Sequence, residues 1–333
     1  MAPPAERRAS GTDATQTTSA DVARAAGVSR GAVSQILNGR GQRFSAETRA
    51  RVLDTARRLD YQPSSAARTL ARGMSDVVVV VAPNTTFGTN LQDICDELTH
   101  VLSEHGLTVV LRFATGSMAS FDRLVAGLRP AAVLPLIGLD AEHRDVLTRR
   151  GVPLATSPRT QKPAQNTNHA IGALQARHLV ERGHDRLAYA QLVDHRDDVY
   201  GDQRLDGLRL ECRRLGVPHP QVLGVAIDAT AADHVLRSLR PGVAVACYND
   251  EVALTLLAAA LRQKWDVPRD LALIGVDDIP LAGALTPRLT TIAYDAVAIA
   301  RRLAAAVLAS LDLPDGEPVP PDDHLRLVPG ETT

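Results

Sequence analysis

From Asp76 onward the chain alternates short, unbroken apolar runs with stretches whose apolar residues recur every three or four positions. The runs are VVVVVA (77–82), LTVVLRF (107–113), AAVLPLI (131–137) and VPLA (152–155), then RLAYA (186–190), VLGVAI (222–227), VAVACY (243–248) and LALIGV (271–276). Runs of Val, Ile, Leu and Ala that do not alternate with polar residues suit strands covered on both faces, and so parallel sheets with crossover helices. The periodic stretches predict helices near 90–105, 140–150, 168–183, 201–215, 229–240 and 249–264. Two series of strands predict two doubly wound α/β lobes. Ligands of such sheets collect beyond the carboxyl ends of the strands. Asn84 and Phe87, Tyr248, Asn249 and Asp250, and Asp277 and Asp278 fall at such ends.

The stretch before Asp76 follows a different pattern. Thr18 and Asp21 have capping-box spacing, Val22, Ala23 and Ala26 share a face, and Gly27 is a turn residue. Ser29 caps a second predicted helix in which Val33, Ile36 and Leu37 face inward. Its outward face then carries Arg30, Gly31, Ser34, Gln35 and Asn38. Helix, tight turn and helix with a polar outer face is a helix-turn-helix layout, whose second helix enters the DNA major groove. A three-helix packing module would share the fold, but has no use for Arg and Gln on that face.

The formal charge of −1 conceals an asymmetry: residues 1–75 hold twelve arginines against six carboxylates, and the remainder is net −7. A basic amino-terminal part suits phosphate neutralisation, while an acidic body discourages non-specific wrapping. Residues 1–17 are polar, lack the apolar run of a secretion signal, and predict a disordered leader. No run of about 18 apolar residues predicts a membrane span. Cys95, Cys212 and Cys247 are scattered and predict reduced, buried thiols, hence a cytoplasmic protein with neither disulfide nor metal site. No phosphate-binding glycine loop, GxSxG elbow or HExxH is present, and the ten histidines lack ligand spacing. The expectation is no catalytic residues and no cofactor, with His178 and His184 structural.

DVARAAGVSRGAVSQILNG, then SAETRARVLDTARRLDYQP and AARTLARG, strongly resemble the headpiece of the lactose-repressor (LacI/GalR) family of bacterial transcription regulators. HLVERGHDRLAYA, RLDGLR, CYNDEVAL, LIGVDDIPLAG and PRLTTI extend the resemblance through the body, over nearly all of residues 18–330. It implies an all-α helix-turn-helix headpiece at 18–63, a hinge at 64–75, and a two-lobed body at 76–333 like a periplasmic binding protein. Lobe one would hold about 76–160 and 293–318, and lobe two about 161–290 and 319–333.

The resemblance also implies a homodimeric, ligand-responsive repressor of a double-stranded operator, with no membrane partner. The chain ends HLRLVPGETT without the heptad helix that tetrameric relatives carry. Arg30 and Gln35 would read bases, Thr18, Ser29, Ser34 and Asn38 would hold phosphates, and Gly31 would allow close approach. Ala67 and Leu70 would belong to a hinge helix that orders on DNA, with Leu70 wedged into the minor groove. Phe87, Arg204, Asn249 and Asp277 would line the effector cleft. Arg204 is otherwise one of 35 arginines, Asn249 could simply cap a helix, and Asp278 could close a turn. Asn166-Thr167-Asn168 and Asp228-Ala-Thr depart from the family pattern, and aromatics are only 3% of the chain. Phe87, Tyr200, Tyr248 and Trp265 are therefore the few stacking candidates, and a sugar-like effector rests on resemblance alone. The body by itself would fit a transporter's solute-binding protein, and an α/β enzyme with a DNA-binding end is the third class; neither has the sequence features it needs.

Overall fold

Among the described residues the amino-terminal unit has three helices, α1 (Ser19–Ala26), α2 (Arg30–Leu37) and α3 (Ala46–Arg58). In the computed structural model the described residues are 17–37, 41–61, 69, 73–84, 89–114, 117–156, 167–194, 199–314 and 325–333. Asn38, Ala67, Leu70 and Phe87 lie outside them, as do residues 1–16 of the predicted leader and most of 64–72. The Asp21 carboxylate accepts from the Thr18 N–H at 3.0 Å and from its hydroxyl at 2.6 Å, satisfying the start of α1. Gly27, at φ 67°, ends α1 in a left-handed turn that a side chain would strain. Ser29 Oγ accepts from the Ala32 N–H at 3.1 Å, and Ser45 Oγ from the Thr48 N–H at 3.2 Å, starting α2 and α3. Val22, Ala23, Ala26, Val33, Ile36, Val52 and Ala56 make one buried cluster where the helices meet.

The chain divides into two units, Met1–Ser75 and Asp76–Thr333. The second begins with β1 (Val77–Ala82), α4 (Thr89–Glu104), β2 (Thr108–Phe113), α5 (Met118–Leu128), β3 (Ala132–Pro135) and α6 (Ala141–Arg150). Its three strands are parallel in the order β2-β1-β3. Residues 152–155, expected as a fourth strand, contribute only one bridge, Leu154 to Val133. Met118–Leu128, to which the apolar pattern assigned nothing, is a helix burying Phe121 and Val125.

There follow α7 (Thr167–Glu181), β4 (Leu187–Leu192), α8 (Val199–Leu215), β5 (Gln221–Val225), α9 (Ala229–Ser238), β6 (Val243–Cys247), α10 (Asp250–Arg262) and β7 (Leu271–Ile274). These strands are parallel in the order β5-β4-β6-β7. Both sheets therefore put their first strand inside, with crossovers leaving to either side. Strands covered on both faces explain the unbroken runs: Val78–Ala82, Val243–Cys247 and Leu271–Ile274 are buried throughout. Each valine so buried contributes about 1.5–3 kcal/mol from the water its side chain leaves.

The chain then crosses between the sheets. After α11 (Pro280–Ala284), Thr290 bridges Ile274, and β8 (Thr291–Ala293) leads to α12 (Ala296–Ser310). That helix packs on α4 and β3 of the first sheet. β9 (Arg326–Val328) pairs antiparallel with β8, and the Thr332 carbonyl accepts from the Leu273 N–H at 2.7 Å, beside the second sheet. Two lobes joined by crossing segments result. No helix among the described residues is long and apolar enough to cross a membrane.

Candidate functional site

Two surfaces carry chemistry. On α2, Ala32, Val33 and Ile36 are buried, Arg30, Gly31 and Ser34 are exposed, and Gln35 is half-buried. Val33 and Ile36 face inward as the apolar spacing requires, Leu37 packs half-buried against the same core, and Gln35, expected outward, is half-buried. Thr18 and Ser29 stand at the amino ends of α1 and α2, where free amides favour a phosphate. Both hydroxyls already serve those ends, Thr18 donating to Asp21 and Ser29 capping α2. The Thr18 bonds hold the Asp21 carboxyl below its usual range.

The second surface is the cleft between the two sheets, and its geometry starts from two glycines. A Cβ on Gly172 in α7 would lie 1.9 Å from the Arg204 carbonyl oxygen, and one on Gly207 in α8 would lie 2.1 Å from the His169 carbonyl oxygen. Only glycine at both positions lets α7 and α8 cross this closely. The crossing brings Asn168 Oδ1 to 3.0 Å from Arg204 Nε, and Asn168 Nδ2 donates to Gln203 Oε1 at 3.1 Å. Arg204 Nη1 donates to the Tyr248 carbonyl, and the guanidinium lies 5.0 Å from the Tyr248 ring centre. Arg204 is thus fixed by α7, α8 and the end of β6, and is buried at 5% exposure.

Asp277 follows β7 with φ 110°, and its N–H donates to the Ile292 carbonyl at 2.9 Å. Asn90 Nδ2, from α4, donates to the Asp277 carbonyl at 3.0 Å and approaches Oδ1 at 3.4 Å. The Tyr294 phenol also acts on the Asp277 carboxylate, lowering its proton affinity. Burial pushes the Asp277 carboxyl up, while Arg204, Asn90 and Tyr294 pull it back. For Arg204 burial opposes the charge, yet Asp277 and then the tyrosines more than compensate and hold it protonated. Burial, then Asp277, raises the Tyr294 phenol well above its ordinary value. A groove of about 570 Å³ opens beside Asn90 and Tyr294.

Of the residues expected in the cleft, Arg204 and Asp277 are brought together there. Asn249 has the capping role: its Oδ1 accepts from the Val252 N–H at 3.0 Å, leaving Nδ2 with a long 3.5 Å approach to Glu251. Tyr248 lies under Arg204, while Tyr200 and Trp265 pack against the second sheet's core. His178 Nε2 lies 2.9 Å from Thr333 Oγ1, a structural contact, and burial lowers its pKa. Cys95, Cys212 and Cys247 are free thiols. No His, Cys, Asp and Glu group among the described residues is arranged to hold a metal.

Sequence reasoning missed Asn90, Tyr294 and the glycine pair as parts of the cleft, and it missed the role of Asp250. Asp250 is fully buried, accepting from the Thr291 hydroxyl at 2.6 Å and the Ile279 N–H at 2.9 Å. Burial pushes its pKa up to about 7, against those two hydrogen bonds and with help from Asp277 and Asp278. Its folded form prefers the proton, so this group's stabilisation is full below the ordinary carboxylate range and is lost as pH rises to about 7. Asp250→Asn should remove that loss, because the amide can donate to Thr291 while its carbonyl accepts from Ile279. Urea unfolding should show the variant gaining on the wild type by on the order of 2–4 kcal/mol between pH 4 and pH 8. An equal pH dependence in both proteins would contradict this assignment.

Comparison with known proteins places the two units in a family. Residues 18–64 match the model of bacterial regulatory proteins of the lacI family, and residues 176–333 match the periplasmic binding protein-like domain. The chain is 28% identical over 292 residues to the transcriptional repressor PurR of Vibrio atlanticus, covering 82% of this chain and 85% of the relative. It is 28% identical over 318 residues to catabolite control protein A of Streptococcus mutans, covering 89% and 93%. Among solved structures, the lac repressor dimer bound to operator and the anti-inducer ONPF superposes with a TM-score of 0.74 at 21% identity, covering 96% and 99%. The regulator CelR in complex with cellobiose gives 0.63 at 23%, covering 96% and 100%. A helix-turn-helix unit followed by a two-lobed binding-protein body defines a DNA-binding transcription regulator, not an enzyme. The chain belongs to the lactose-repressor (LacI/GalR) family.

Proposed function

We propose that this chain is a homodimeric repressor whose grip on a pseudopalindromic operator is set by a small polar molecule in the interlobe cleft. The observation that carries the reading is the pairing of exposed Arg30 and Ser34 and half-buried Gln35 on α2 with a buried Arg204 on α8 and a half-buried Asp277 at the end of β7. Residues 18–63 form the headpiece, 64–75 the hinge with Ala67 and Leu70, and 76–333 the effector-binding and dimerisation body. Arg30 and Gln35 read bases, Gly31 permits close approach, and Thr18, Ser29, Ser34 and Asn38 hold phosphates. Arg204 and Asp277 engage the effector, flanked by Phe87 and by Asn249 through its Nδ2. A sugar-like molecule fits the hydroxyl-binding chemistry of a guanidinium beside a carboxylate, and CelR is a relative in fold crystallised with cellobiose. Such a regulator works in the cytoplasm.

Selection of binding sites from random duplexes tests the headpiece assignment. Gln35→Ala should relax one base position in each half-site, at about 1–3 kcal/mol of discrimination, with non-specific binding retained. The same consensus from variant and wild type would refute the role of Gln35.

A further inference from the structure

Asn90 begins α4, which packs with α12 against the first sheet, while Asp277 follows β7 of the second. Their contact therefore ties one lobe to the other. Tyr200 makes a weaker second tie, its hydroxyl lying 3.5 Å from the Leu136 carbonyl beyond β3. We propose that Asn90 is the tongue of an internal latch, seconded by Tyr294, which holds the cleft closed by occupying the acceptor atoms of Asp277.

Three observations converge on this. The Asn90 amide nitrogen serves both the Asp277 carbonyl and its carboxylate, and Tyr294 stands beside Asn90 on the same groove. Hydrogen bonds to a charged, partly enclosed group are stronger than neutral ones, each worth roughly tenfold or more in an equilibrium. Second, Asp277 and Asp278 are consecutive non-glycine residues at φ 110° and 51°. Backbone of that kind persists only where the surroundings over-determine it, and it gathers at ligand clamps and switches. The other ties on this turn come from the second lobe and the crossing segments: Asp277 N–H to Ile292, Ile279 N–H to Asp250, Asp278 N–H toward Thr291 and the Asp278 carboxylate to Arg326 at 3.5 Å. Among the described residues, Asn90 is the tie that reaches it from the first lobe. Third, the groove beside Asn90 and Tyr294 lets solvent-borne molecules reach the latch.

On the proposed function, a ligand that engages Asp277 must supply donors in place of the Asn90 amide, so opening the latch and filling the cleft are one event. The latch itself exists without ligand, and so can be tested without one. Hydrogen exchange of the full chain, read by mass spectrometry, compares wild type with Asn90→Ala, Asn90→Asp and Tyr294→Phe. Asn90→Asp preserves shape but replaces the donor with an acceptor, so a mere packing role would leave it like the wild type. Amides of 277–279 and of the first turns of α4 should exchange about tenfold faster in Asn90→Ala, faster still in Asn90→Asp, and by a smaller factor in Tyr294→Phe. Amides of β4 and β6 should stay protected, reporting an intact fold. Unchanged exchange at 277–279 in both Asn90 variants, with the sheet protected, overturns the latch and leaves the effector reading standing. Faster exchange supports the latch even where no added sugar stabilises the wild type.

Discussion

Arg204→Ala should lower the unfolding free energy of the Asp76–Thr333 unit by about 3–5 kcal/mol, the cost of leaving a buried partner charge without its counter-ion. Arg204 is buried, and its loss leaves the Tyr248 carbonyl and Asn168 Oδ1 without their donor and takes away the positive charge that acts on the Asp277 carboxylate. Asp277, already pushed up by burial, would then take a proton more readily. A carboxyl whose folded form prefers the proton loses stability as pH rises out of the ordinary carboxylate range, so the deficit of the variant should widen from pH 5 to pH 8. Adding Asp277→Asn removes the stranded charge and should recover a large part of the loss, a coupling that independent sites would not show. Trp265 is the only tryptophan and packs against the second sheet's core, so its fluorescence follows this unit's unfolding in urea. Equal stabilities of the single and double variants at pH 8 would remove the charge pairing from the account. Effector response should be lost in both.

The other large effect belongs to a residue with no polar group. Gly172→Ala places a methyl 1.9 Å from the Arg204 carbonyl oxygen and 2.8 Å from the Leu208 nitrogen, both backbone atoms that cannot turn aside. The α7–α8 crossing must open, and overpacking of this kind costs about 1–3 kcal/mol or more. Because Asn168 and Arg204 stand on either side of the crossing, their 3.0 Å hydrogen bond should break with it. Gly207→Ala should behave alike, since its methyl would meet the His169 backbone at 2.1 Å. Gly127 in α5 provides the contrast: a methyl there meets nothing within 4 Å, and Gly127→Ala should stabilise by about 0.5–1 kcal/mol through lower unfolded-chain entropy. Thermal or urea unfolding of the three variants gives the comparison. A Gly172→Ala protein as stable as Gly127→Ala would mean the helices do not meet through these glycines.

Most strands were legible because burial on both faces leaves unbroken apolar runs that few other structures need. The run at 152–155 misled because four mostly apolar residues after Gly151 look like a strand whether or not a neighbour pairs along their length, and Pro153 among them has no N–H to give a ladder. The helix at Met118–Leu128 escaped because its apolar residues sit beside small polar ones and mark only a narrow face. In the cleft, Arg204 and Asp277 could be proposed from motif and strand-end position. Asn90 and Tyr294 could not, since their relation to Asp277 arises from chain crossing between sheets 187 residues apart in sequence for the Asn90 contact. Gly172 and Gly207 are three or four residues from chemistry-bearing neighbours on their own helices, but nothing local shows that their faces meet. Asp250 was noted beside Asn249, yet its burial depends on Gly275, where a Cβ would lie 2.0 Å from its Oδ1.

Operator recognition requires above all that α2 present a base-reading face to DNA. Binding-site selection with the full chain at physiological salt tests it most directly, run in parallel with a triple variant, Arg30→Ala, Ser34→Ala and Gln35→Ala. The wild type should enrich a sequence with two inverted half-sites, as two-fold protein symmetry requires, and the triple variant should enrich none while still binding weakly at low salt. Failure of the wild type to enrich any sequence, or recovery of the same consensus by the triple variant, would contradict it.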